Sequence, residues 1–152
     1  MYHWRKIAVV VAGLAVSGPA QAQAVLDVFG GEGACYSREY NKAHLASHPG
    51  QRVEKIALWS TEEDPGSDEQ VLQLYFALRD GFDYSGYSYC SAGYCQMEAD
   101  GGNFRLSRAA DRLKLTVGNN LNIEGVENFS GNLADSDDQE FLLNEVRLAD
   151  CN

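Results

Sequence analysis

The chain has 152 residues, with 12 Lys and Arg against 22 Asp and Glu, a formal net charge of −10. A surface this acidic repels phosphate backbones and anionic lipid, which argues against nucleic acid and membrane surfaces as partners and favours a basic protein or divalent cations. The length suits one domain around a single core.

The first residues read as a targeting segment. Arg5 and Lys6 precede an unbroken apolar run from Ile7 to Val16, and Pro19-Ala20-Gln21-Ala22 offers small residues where a signal peptidase cuts. A run shorter than about 18 residues does not span a bilayer as a helix, so residues 1–22 are predicted to be a cleaved signal peptide, with Ala24 as the alternative cut. Residues 23–152 then form one domain in the periplasm or outside the cell. Loss of Arg5 and Lys6 leaves 10 basic against 22 acidic residues, a formal charge of −12.

The four cysteines, Cys35, Cys90, Cys95 and Cys151, all follow that segment. An even count in an exported chain reads as two disulfides. Three connectivities remain open; the preferred one staples Cys90 to Cys95 locally and ties the first strand to the last through Cys35–Cys151. A zinc site would need a second cysteine pair to match the C-x4-C spacing, and none is present. No metal or other cofactor is expected.

In chain order, Val25 to Phe29 begins a first strand, broken by Gly30-Gly31-Glu32-Gly33. Cys35 to Tyr40 continues extended. Asn41 caps a short helical turn through His48, ended by Pro49-Gly50. Gln51 to Ser60 is a strand whose apolar residues Val53, Ile56 and Leu58 change phase, as at a bulge. Thr61 to Glu69 is an acidic loop. Leu72, Leu74, Phe76 and Leu78 alternate through the strongest strand, and Asp80-Gly81 turns it toward Tyr84–Leu106. There Cys95, Met97 and Ala99 alternate, Asp100-Gly101-Gly102-Asn103 supplies φ > 0 positions, and Phe104 and Leu106 resume the pattern, a β-hairpin. Leu113, Leu115 and Val117 form the next strand, Gly118-Asn119-Asn120 is a predicted turn, and Leu121 and Ile123 start another strand. Phe129 and Leu133 lead to the turn Asp135-Ser136-Asp137-Asp138, and Phe141 and Leu143 lie in the last strand.

Short strands that bury one face, with turn signals every eight to twelve residues, predict an all-β, disulfide-bonded antiparallel barrel, lipocalin-like in the loose sense, with one short helical turn. A monomer is expected.

Few residues carry a catalytic signature. His44 and His48 would share a helix face at i, i+4, but Leu45 stands where a zinc-protease motif has its glutamate. Capping and packing explain the pair more simply. Asp135, Asp137, Asp138 and Glu140 have the chemistry of calcium ligands without the glycine or spacing of an EF-hand, and read as an exposed turn. No G-x-S-x-G elbow and no P-loop is present, so an enzyme is not expected. Tyr84, Tyr87, Tyr89 and Tyr94, interleaved with Ser and Gly, have the composition of a binding surface. Ser85, Tyr87, Tyr89 and Tyr94 are its candidate contacts. The alternatives are a carrier of small apolar ligands, with a cavity lined by Leu72, Leu74, Phe76, Phe104 and Leu106; a protein with a structural role only; and, last, an enzyme with His44 or His48 near a carboxylate in a cleft.

Ser85-Gly86-Tyr87-Ser88-Tyr89 resembles the S-G-x-x-Y motif of the periplasmic or membrane-bound inhibitors of c-type lysozyme, an exported, barrel-like family that blocks the enzyme's cleft with this loop. The resemblance implies that Ser85 and Tyr89 are inhibitory contacts and that the partner is a basic enzyme. A wider set, Cys35-Tyr36-Ser37-Arg38, Ala43–Pro49, Asp100-Gly101-Gly102 and Asp137–Leu143, is similar to uncharacterised exported proteins of proteobacteria, which implies export and this fold but no activity.

Overall fold

A computed structural model describes residues 28–30, 33–61, 69–124 and 129–151. The strands are β1 (Cys35–Glu39), β2 (Val53–Ser60), β3 (Gln70–Leu78), β4 (Asp83–Ser91), β5 (Tyr94–Met97), β6 (Gly102–Ala109), β7 (Arg112–Glu124), β8 (Phe129–Asn132) and β9 (Glu140–Val146). One helix, α1 (Lys42–Ser47), follows β1, and 3-10 turns cover Leu133–Asp135 and Leu148–Asp150. The predicted signal peptide and most of the Thr61–Glu69 loop lie outside the described residues. So does most of the expected Val25–Phe29 strand, of which Val28 and Phe29 are helical rather than extended.

Strands β1 to β7 pair in sequence, and β9 lies between β7 and β1, all antiparallel. That circuit closes an eight-stranded barrel, with β8 attached to the far part of β7. Closure removes the free edges that an open sheet would leave. The first and last strands meet as expected, and the Cys35–Cys151 disulfide sits beside that seam.

Strict alternation builds the interior. In β3, Gln70, Leu72, Leu74, Phe76 and Leu78 point inward while their neighbours are half-exposed. Leu58, Phe104, Leu113, Leu115, Phe141 and Leu143 join them in one continuous core. Cys90 and Cys95 are directly opposed across the β4–β5 hairpin, and their disulfide is wholly buried in that core. The other disulfide lies on the outer side of the wall with Ala57, covered by Trp59, Tyr75 and Val146. Two disulfides of this kind belong to an oxidising compartment.

Two turns differ from the expectation. Ala99 is not in a strand: β5 ends at Met97, and Ala99 and Asp100 themselves take positive φ (50° and 60°), followed by Gly102 at 95°. More substantially, Gly118-Asn119-Asn120 is not a turn, because β7 runs unbroken through it. Gly102 pairs with Leu121 while Phe104 pairs with Val117, so β7 holds extra residues at this point. Asn119 is extruded to solvent, and Val117 and Leu121 both stay inward. The glycine serves close approach: a Cβ on Gly118 would meet the Asn103 carbonyl oxygen at 2.7 Å. The expected bulge in β2 is present between Val53 and Lys55.

At one end of the barrel lies α1, whose Leu45 is buried. Asn41 Oδ1 accepts from His44 N at 2.9 Å, the expected N-cap. The β3–β4 and β5–β6 turns lie toward the same end.

Candidate binding face

The tyrosine-rich segment forms β4 and β5, joined by a tight turn in which Ala92 and Gly93 take positive φ. Gly86, Ser88 and Cys90 face inward, which places Ser85, Tyr87, Tyr89 and Ser91 on the outer surface. Tyr94 and Gln96 of β5 face the same way. Register brings the side chains together: Tyr87 is opposite Gln73, Tyr89 lies between Val71 and Gln96, and Ser91 is opposite Tyr94. Tyr87, Tyr89 and Tyr94 keep 43%, 45% and 40% of their surface exposed, far more than a tyrosine committed to packing. All four expected contacts, Ser85, Tyr87, Tyr89 and Tyr94, therefore share one exposed face. Tyr84 does not: it is half-buried against the core.

Ser85-Gly86-Tyr87-Ser88-Tyr89 lies within a strand, not on the loop that the inhibitor resemblance implies. Both neighbours enforce this. β3 pairs with the whole segment, and β5 pairs with it from Ser88 onward. Gly86 leaves room on the inner side for two side-chain ends, since a Cβ there would meet Met97 Cε at 3.0 Å and the Tyr84 hydroxyl at 2.6 Å and would displace them.

Sequence reasoning missed Trp59 and Tyr75, whose half-buried rings continue the aromatic surface across β2 and β3. The available signal was their alternation out of phase with Leu58 and Leu74. Cations border the patch: the Arg105 guanidinium stacks over Tyr94 at 5.3 Å and Lys55 Nζ over Tyr75 at 5.7 Å. Burial, then the Asp83 carboxylate, raises the Tyr75 hydroxyl above the ordinary tyrosine value. Between these cations, the outward residues of β3 from Val71 to Ala77, of β4 from Ser85 to Ser91, and Tyr94 and Gln96 of β5 carry no formal charge. A neutral aromatic, serine and glutamine patch on so acidic a chain has the chemistry of a protein-contact surface, with large rigid rings and adaptable hydrogen-bonding groups.

Leu72, Leu74, Phe76, Phe104 and Leu106, which would line a carrier's cavity, are packed into the barrel core at 5% exposure or less. An eight-stranded barrel is just wide enough for side chains to fill it. A shallow pocket of about 210 Å³ lies at the barrel end between Pro49, Gln51, Arg52, Leu78, Arg79 and Asp80. The Arg79 guanidinium there donates to the carbonyls of His48, Pro49 and Gln51.

The His44 and His48 rings stack at 4.1 Å, and His44 stacks on Tyr40 at 4.7 Å. His48 Nδ1 donates to the His44 carbonyl (2.9 Å), and His44 Nε2 shares a hydrogen bond with Gln51 Oε1 (3.0 Å). The acidic turn is similarly occupied. Asp138 is 2% exposed, and its carboxylate accepts from Arg52 N (2.6 Å), Val53 N (3.3 Å) and Ser136 Oγ (3.0 Å). Among the described residues, no group of three or more His, Cys, Asp or Glu side chains has metal-binding geometry.

No protein-family model, no curated protein and no solved structure matches this chain significantly.

Proposed function

We propose that the protein is an exported, monomeric binding protein that engages a basic protein partner through the outer face of β3, β4 and β5. The observation that carries this reading is the exposure of Tyr87, Tyr89 and Tyr94 together on one uncharged sheet surface. The packed interior supports an outer rather than an inner site. The mature chain's formal charge of −12, 10 basic against 22 acidic residues, supplies attraction to a cationic partner, and the uncharged face supplies contact without stripping water from carboxylates.

The S-G-x-x-Y resemblance nominates a c-type lysozyme as the first partner to assay. The mature protein is expected to inhibit such an enzyme, with weaker inhibition as salt rises. Ser85→Ala and Tyr89→Ala should each weaken inhibition, Tyr89→Ala by about tenfold or more, as expected for an aromatic interface anchor. Both side chains are outward, so unfolding curves should be nearly unchanged. Wild-type inhibition retained by both variants would remove this reading of the face.

A further inference from the structure

We propose that the partner is held by strand addition: a basic, extended segment pairs with the β4 edge at Asp83 and Ser85, which no strand among the described residues covers, beside the tyrosine face. This rests on the binding reading above and specifies how the partner is gripped.

The barrel is closed, yet its wall has a notch. β4 pairs with β3 along its length, from Ala77–Asp83 to Gln70–Cys90, but with β5 only from Ser88 to Ser91. Beyond Met97 the chain curls away through Glu98–Gly101, a turn closed by Gly101 N donating to the Glu98 carbonyl at 2.9 Å. The last contact across the gap is at Tyr87, whose carbonyl accepts from Glu98 N (3.0 Å). The Tyr87 amide meets no strand among the described residues and donates instead to the Glu98 side chain, Oε1, at 3.0 Å. With a period of two, the N–H and C=O groups of Ser85 and Asp83 point the same way as those of Tyr87. Among the described residues no strand pairs with them on that side.

An unpaired edge is a template for another chain, and proteins recruit such edges for peptide recognition. Charge decides the occupant. Asp80, Asp83, Glu98 and Asp100 are all exposed around this edge and its two bounding turns. Among the described residues, ion pairs join Lys114 to Glu140 and Arg147 to Asp150, so neither includes any of these four carboxylates. Two β4 edges brought together would juxtapose two such sets, which disfavours a second copy of this chain. A strand carrying Lys or Arg would pair its backbone with Ser85 and place its cations against these acids.

The test uses the mature protein and a short blocked peptide of alternating Thr and Lys, with amide hydrogen exchange read by NMR. At saturating peptide the Asp83 and Ser85 amides should exchange at least about tenfold more slowly, as hydrogen-bonded edge amides do. N-methylation of alternate peptide amides, made in both phases, should weaken binding about tenfold or more in one phase and little in the other. The same peptide with Glu for Lys should not bind. Peptide binding with unchanged Ser85 exchange, or equal loss in both methylated phases, would overturn strand addition. So would Ser85 protection that rises with protein concentration alone, which would assign the edge to a second copy. Lysozyme inhibition that depends on Tyr89 while Ser85 exchange stays unchanged in that complex would keep the face and discard the edge.

Discussion

Replacing Asp138 with Ala should be among the most damaging single changes in this barrel, although the residue belongs to a run of acids that looks like an exposed loop. Its carboxylate holds the amides of Arg52 and Val53 at the start of β2 and the Ser136 hydroxyl within its own turn. Hydrogen bonds to a charged group contribute about 1.5–3 kcal/mol each, and a buried donor left without a partner costs about 1–3 kcal/mol. Asp138→Ala strands two backbone amides at a side chain that is 2% exposed, so the loss should be about 3–5 kcal/mol. Asp138→Asn keeps the volume and one acceptor oxygen, and should cost about 1–2 kcal/mol. Urea unfolding followed by tryptophan fluorescence measures both on a single-domain transition. An alanine variant within about 0.5 kcal/mol of wild type would refute this structural role for the carboxylate, and the acidic turn would then need another explanation.

The two disulfides should differ in weight. They close loops of 116 and 5 residues, so loop entropy gives about 5 kcal/mol for Cys35–Cys151 and about 2 kcal/mol for Cys90–Cys95. Urea unfolding of the paired Cys→Ala variants checks the order, which a smaller loss for Cys35→Ala with Cys151→Ala would contradict. Gly102→Ala should destabilise by about 2–4 kcal/mol, because φ is +95° and a Cβ would sit 3.0 Å from the Leu121 Cα at the β7 bulge; thermal unfolding with no loss would disprove that close approach. Burial, reinforced by Asp138, raises the Tyr40 hydroxyl above its ordinary 10.0 against the opposing Arg38 charge. A raised folded-state value means stability is full below pH 10.0 and falls as pH climbs through the folded value, while the unfolded chain ionises first. Tyr40→Phe should reduce that alkaline loss in denaturant titrations at pH 9 to 11, and an unchanged slope would argue against the effect.

The sequence made the barrel legible where a strand's neighbours agreed with its own pattern. In β3, Leu72, Leu74, Phe76 and Leu78 alternate without interruption, and both flanking strands accept that register. The Cys35–Cys151 tie was legible because closure brings the first strand against the last. Gly118-Asn119-Asn120 reads as a turn because turn residues and bulge residues are the same residues. What separates the two is Gly102, distant in sequence and paired opposite Leu121. The position of Ser85 and Tyr89 on a strand instead of a loop had a similar origin: Ser-Gly-rich composition favours loops, but β3 supplies a full partner for the segment. Trp59 and Tyr75 are not legible as site residues because each is isolated in its own strand, and only register across β2 and β3 joins them to the tyrosines.

The arrangement of charge also says how such a face would be used. Carboxylates directly within a contact would have to lose water or find partners, each at a cost of several kcal/mol for a buried ion. Here the outward positions of β4 from Ser85 to Ser91 are free of them, and the nearest acids, Asp83, Glu98 and Asp100, stand exposed at one end, outside the tyrosine face. Long-range attraction and short-range contact are thereby carried by different residues. The first acts on encounter rate and is screened by salt; the second acts on residence time and is not. The filled interior is the structural counterpart of that division. A core whose largest side chains are fully buried holds the β-wall rigid, so Tyr87, Tyr89 and Tyr94 are presented on a strand already in place, and little ordering entropy opposes a partner that binds them.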